Sequence, residues 1–218
     1  MSQERSELMP LVVVGAGGLG REVLDVIDAL NANSLTFNLI GYVDDGSPDD
    51  TLLVRRGTKI LGPISVLDGV DTQYVIAIGS GSIRQRLRSR LDTLSKSGAR
   101  LVHPFTAIGG DCTFGQGTIV FAHVSIACNV IVGQHSQIHR NSTIGHDVKI
   151  EDCVTILPGA VVSGNVYIGR ASTIGANSTI LQGITIGATA TVGAGAVVLH
   201  DVKPGETVVG VPAHPIVN

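Results

Sequence analysis

The sequence predicts an α/β unit joined to an all-β unit: a small parallel sheet with helices, then a parallel β-helix of hexapeptide repeats. Three observations carry this. Apolar anchors recur every six residues from Ile108 to Val198, sixteen times without a slip. Before about residue 100, short apolar runs alternate with helical stripes. Finally, 28 glycines and only 3% aromatic residues suit flat cores of small and β-branched side chains better than helix bundles.

The first unit is assigned to residues 1–103. "LVVV" (11–14), ending at a glycine, reads as a buried parallel strand. Val23, Val26, Ile27 and Leu30 stand at i, i+3, i+4 and i+7, the stripe of an amphipathic helix. "NLIGYV" (38–43) and "YVIAI" (74–78) read as further strands. Ile83, Leu87, Leu91 and Leu94 mark a second long helix, with Arg84, Arg86, Arg88 and Arg90 on or near its wet face. Such βα units predict a Rossmann-like parallel sheet, whose functional sites lie beyond the carboxyl ends of the strands.

The second unit, 104–218, obeys another grammar. A helical period of 3.6 cannot hold a six-residue register, and a hairpin meander needs turn clusters that are absent. Residues two before the anchors are small or β-branched, such as Thr106, Cys112, Ser136, Ser142, Ala160 and Ser172. Paired inward positions on a six-residue beat predict a parallel β-helix with three hexads to a coil.

Several function classes are disfavoured. A net charge of −3 steers the chain toward neither nucleic acid nor an anionic membrane. Three cysteines without C-x-x-C spacing argue against a disulfide framework or zinc knuckle and suit a reducing cytoplasm. The "LVVV" run is too short for a signal sequence or a membrane span, so a soluble cytoplasmic protein is expected.

Two motifs carry chemistry. "GAGGLG" puts Gly15, Gly17 and Gly20 in G-x-G-x-x-G register after a strand and before a helix, where backbone N–H groups can approach a phosphate. Asp44 and Asp45 follow Gly20 by 24 and 25 residues, at a position suited to reading a ribose. Taken alone this suggests NAD, but the unit is about half the size of a dinucleotide fold. The second motif is His146–Asp147, two residues past the anchor Ile144 and so at a corner, where packing gives no reason for a histidine. An imidazole of ordinary pKa, about 6.5, is largely neutral at cellular pH, and a neighbouring carboxylate fixes which nitrogen is free. Asn129 and Asn165 occupy the same column, so a turn residue alone would also account for Asp147.

The hexads and the closing "GVPA" (210–213) resemble the hexapeptide acyltransferases. "VVVGAGGLGREV", "GYVDDG", "AIGSGSIR" and "IGHDVKIEDCVTILPGAVVSGNVYIG" are similar to the branch containing sialic acid O-acetyltransferases and bacterial UDP-amino-sugar N-acetyltransferases. The resemblance implies a left-handed β-helix, acetyl-CoA as co-substrate, a sugar acceptor, nucleotide-linked in one branch, and a homotrimer. It implies that His146 is the general base and Asp147 the acid that enhances it. It puts the acceptor at Gly17, Gly18, Leu19, Asp44, Asp45 and Gly79, with His139 beside it. Thr155 falls where relatives contact acetyl-CoA with a histidine, and Gly164, Ala176 and Ala194 match residues lining the cofactor groove between subunits. The sequence departs from the family at Leu19, commonly His, and at Gly81, commonly Asn.

The remaining histidines fit lesser roles: His123 and His135 solvated in corners, His103 at the domain junction. No metal site is expected, because the one same-column pair in the solenoid, His146 and His200, lies three coils or roughly 14 Å apart. A non-catalytic nucleotide-binding protein is one alternative. A structural or ice-binding β-helix is another, favoured by the column Thr155, Thr173 and Thr191.

Overall fold

The computed structural model describes residues 8–216. Its first part is a parallel four-stranded sheet. In chain order it comprises β1 (Met9–Val14), α1 (Gly18–Asn33), β2 (Phe37–Val43), α2 (Thr51–Val54), β3 (Ile60–Gly62), β4 (Gln73–Ile76) and α3 (Gly81–Thr93). The strands lie in the order β3-β2-β1-β4. Period-two alternation explains why "LVVV" is apolar throughout. Leu11 and Val13 pack with Val23, Val26 and Ile27 of α1, while Val12 and Val14 pack with Leu91 of α3 on the other face. The chain reverses direction across the sheet between β1 and β4, the switch point where an open parallel sheet leaves a crevice. The short β3 and α2 carry too few residues to show periodicity and were not expected from sequence.

The second part is a three-faced prism. Strand pairs separated by eighteen residues hydrogen-bond in parallel, for example Gln137 with Thr155, Thr143 with Val161 and Lys149 with Tyr167. Face one stacks Leu101–Val102, Ile119–Val120, Gln137–Ile138, Thr155–Ile156, Thr173–Ile174, Thr191–Val192 and Thr207–Val209. Face two includes Ser125–Ile126, Thr143–Ile144 and Val161–Val162; face three includes Ile131–Val132, Lys149–Ile150 and Tyr167–Ile168. The anchors form one continuous core, from Val120 to Val198 almost all within 3% of full burial. Ile108, at 41% exposure, and the half-buried Phe114 are the exceptions, because they belong to the end coil and have no coil beneath them.

The six-residue beat has a backbone cause. Asp111, His123, Asn129, His135, Asn141, Asp147, Cys153, Asn165, Ala171, Asn177 and Thr189 all sit at φ between 54° and 61°, each three residues past an anchor. A left-handed residue at every corner turns the chain onto the next face. Buried hydroxyls at the small positions are satisfied locally, as where Ser136 donates to Glu151 O at 2.8 Å and Ser142 to Leu157 O at 3.1 Å.

The sheet docks on face one. Leu101, Ile119 and Phe121 of the prism join the apolar cluster beneath α1, and Gln137 (0% exposed) donates to Ile76 O at 2.9 Å. Ion pairs clamp both corners flanking that face: Arg140 to Glu22 at 2.9 Å and Arg88 to Asp152 at 2.7 Å. A Cβ on Gly81 would stand 2.4 Å from Cys153 O, so α3 meets the prism backbone to backbone. That approach is why an asparagine has no room there.

Candidate active site

Four of the expected acceptor residues meet at the crevice. Gly17 and Gly18 begin α1 at the end of β1, Gly79 follows β4, and all three are exposed. Gly20 is glycine for packing, since a Cβ there would lie 2.3 Å from Gly15 O. Gly17 and Gly79 have no such reason: a Cβ on either meets nothing within 4 Å. Their bareness leaves the crevice mouth open. Asp44, at the end of β2, accepts from Ala16 N at 2.9 Å and Gly46 N at 2.8 Å, tying the glycine loop to the neighbouring strand. Asp45 accepts from Ile64 N at 2.8 Å and pairs with Arg90 at 2.9 Å. Leu19 is half-buried against the cluster that contains Phe121.

The prism edge between faces two and three carries His146 and Asp147. His146 Nδ1 lies 2.6 Å from Asp147 Oδ2, with side-chain exposures of 52% and 43%. Asn129, one coil below, donates to Asp147 Oδ1. These hydrogen bonds, from Asn129 first and His146 second, hold the Asp147 carboxyl below the usual carboxylate range. An ionised carboxylate only accepts, so Nδ1 is the donor, and in the neutral form of the ring Nε2 is the nitrogen that keeps its lone pair. Gly164 lies one coil above. A Cβ there would come within 2.6 Å of both Nε2 and Cε1 of the ring, so only glycine leaves the imidazole its position.

Three residues differ from expectation. His135, expected to be solvated, is 2% exposed and stacks on Tyr74 at 5.6 Å, because its corner abuts the docked sheet. Burial, then Arg88 and Arg84, push it down to about 4. Arg84, expected on or near the wet face of α3, is 0% exposed: that side of the helix faces the prism. Thr155, expected to touch the cofactor, is 1% exposed and sealed under the sheet. Its hydroxyl donates to Gly79 O at 2.8 Å and accepts from Arg84 Nη2 at 2.9 Å. The burial of Thr155 also removes it from any flat threonine face of the ice-binding kind.

His139 is 6% exposed, stacked on Phe121 at 4.7 Å, with no hydrogen-bond partner at Nε2. Burial, then Arg84 and Arg140, push it down to about 4. The expected cofactor residues divide between two edges. Gly164 shares the His146 edge, whereas Ala176 and Ala194 lie on the edge of Arg140, between faces one and two. The His146 edge is thus opposite face one, the face that carries the sheet and its crevice. Among the described residues no cluster of His, Cys, Asp or Glu could hold a metal, and no helix is long and apolar enough to cross a membrane.

Comparison with known proteins agrees with both halves. Residues 10–91 match the PglD N-terminal domain family, and residues 129–164 and 147–182 match the bacterial transferase hexapeptide family of six repeats. The acetyltransferase domain of PglB from Neisseria gonorrhoeae FA1090, solved with acetyl coenzyme A, is 30% identical with a TM-score of 0.88, covering 96% of this chain and 100% of that one. PerB from Caulobacter crescentus, solved with CoA and GDP-perosamine, is 26% identical with a TM-score of 0.84, covering 95% and 97% of the two chains. The GDP-perosamine N-acetyltransferase of Escherichia coli O157:H7 is 29% identical over 156 residues, 68% of this chain and 67% of that protein. With the glycine-loop sheet set on a left-handed hexapeptide prism along nearly its whole length, the chain belongs to the hexapeptide-repeat sugar acetyltransferases.

Proposed function

We propose that the protein transfers acetyl from acetyl-CoA to an amino or hydroxyl group of a nucleotide-linked sugar, by direct attack with His146 as general base. One observation carries this: an imidazole oriented by an ionised carboxylate, its free Nε2 on an open prism edge beside the bare Gly164. Nε2 takes the proton of the attacking group as the tetrahedral intermediate forms, and Asp147 stabilises the resulting imidazolium. The Gly164 N–H is an available donor for the oxyanion. The acceptor occupies the crevice of Gly17, Gly18, Gly79 and Asp44, with Leu19 and Asp45 adjoining it. These divide the chain into an acceptor domain, 1–103, and a catalytic prism, 104–218, although Leu101–Val102 already pairs within face one. Thr155 is reassigned from the cofactor to the junction.

The opposed placement of crevice and base supports assembly. Within one copy the sheet sits on face one and His146 on the far edge, so an acceptor held in the crevice needs the His146 edge of a second copy. The same pairing brings the Ala176 and Ala194 edge of one copy to the Gly164 edge of the next, enclosing a slender cofactor between them. A closed ring of three satisfies every edge.

The test is thiol release from acetyl-CoA against a panel of nucleotide-linked amino sugars and sialic acid. The proposal expects turnover with at least one nucleotide-linked sugar. No release with any acceptor contradicts it.

A further inference from the structure

The least expected group in the junction is Arg84. It is fully buried, yet no carboxylate among the described residues lies within ion-pair distance. Its donors go to neutral oxygens instead. Nε donates to His135 O at 2.8 Å, and Nη2 to Cys153 O at 2.7 Å, Val154 O at 2.9 Å and Thr155 Oγ1 at 2.9 Å, all on the prism. Nη1 donates to Ile78 O at 2.9 Å and Gly79 O at 2.8 Å, with Gln137 Oε1 at 3.3 Å. Thr155 Oγ1 donates to the same Gly79 carbonyl at 2.8 Å.

Those two carbonyls belong to the loop that leaves β4 at the crevice. In a trans peptide the N–H points opposite to the C=O. With Ile78 O and Gly79 O drawn down onto Arg84, the N–H groups of Gly79 and Ser80 face away from the prism. Both residues are exposed, and neither N–H has a protein acceptor among the described residues. Directly after them α3 begins, its first turn adding partial positive charge. A buried cation behind the peptide planes polarises both N–H groups further and, lacking a carboxylate, is not neutralised before a ligand arrives.

We infer that Arg84 is the positioning residue of the acceptor site: by anchoring the Ile78 and Gly79 carbonyls to the prism it aims the Gly79 and Ser80 N–H groups at a phosphate of the nucleotide-linked acceptor. This rests on the acceptor reading given above. It also explains why Arg84 gains from sitting in a junction of neutral oxygens. A simple staple could be apolar, and replacing buried charges by apolar groups is often neutral or stabilising.

Two variants test it, in the full-length assembled protein. Ser80→Pro removes one N–H while fitting the Ser80 backbone, whose φ is −74°. Its affinity for UDP or GDP, whichever the wild type binds, falls about tenfold by calorimetry, with acetyl-CoA affinity within about twofold. Arg84→Lys keeps the charge but cannot hold both sets of carbonyls, so the acceptor KM rises about tenfold with little change in the acetyl-CoA KM. An unchanged nucleoside diphosphate affinity in Ser80→Pro overturns the inference. So does a lowered melting temperature in Arg84→Lys with both KM values unchanged, the behaviour of a staple. A wild type that binds neither UDP nor GDP removes the acceptor reading as well.

Discussion

At the residue scale, His146 and its neighbours separate catalysis from turn geometry. Asp147 sits at φ 60°, a conformation it shares with Asn129 and Asn165 in its own column. Asparagine therefore satisfies the corner but cannot accept in the same charged way. Asp147→Asn is expected to melt like the wild type and to lose about tenfold or more in kcat, since the imidazolium loses its carboxylate. Gly164→Ala is expected to do similar damage from the other side, its methyl displacing the ring on an exposed edge where the fold tolerates the shift. Wild-type kcat in both variants would return Asp147 to a turn residue. The corner position of this pair was legible in the sequence because it follows the anchor Ile144 in the hexad register. Arg84 was not. Helical spacing grouped Ile83, Leu87 and Leu91 into the buried stripe, and nothing in one helix shows that a second surface will cover its neighbour.

At the scale of elements, the junction between sheet and face one sets the pH response. His135 and His139 are held neutral to about pH 4, whereas an unfolded histidine protonates near 6.5. Between these values the unfolded chain binds more protons, so stability rises with pH through this window and levels off above it. By pH 5 the loss is about 2 kcal/mol per imidazole. Urea titrations at pH 5 and pH 7 should show this difference, and His135→Gln with His139→Gln should shrink it; equal pH dependence in the variant would contradict the assignment. Of the charges nearest these rings, Arg84, Arg88 and Arg140 oppose protonation, and Asp152 favours it at His135. The junction left a trace in the sequence. Outward positions on face one run Leu101, Ile119, Gln137, Thr155, whereas face two offers Ala107, Ser125, Thr143. Leu101 and Ile119, large apolar residues at consecutive outward positions of face one and both fully buried, mark its covered end, a signal the corner position of His135 does not carry.

At the scale of the whole molecule, the hexad register made the prism predictable, because each coil repeats one local rule. The docking of the sheet was not, since it depends on contacts between segments far apart in the chain. That docking gives the account its central claim: the crevice of one copy is served by the His146 edge of the next. Mixing subunits tests it directly. Gly17→Trp fills the crevice where an added side chain meets no protein atom within 4 Å, and His146→Ala removes the proposed base. Each variant alone should be inactive. In a ring of three, every mixed assembly regains one intact crevice–base pair, so equal mixing with subunit exchange should restore about a quarter of wild-type thiol release. Turnover by His146→Ala alone, or no recovery in assemblies proven to be mixed, would contradict the account.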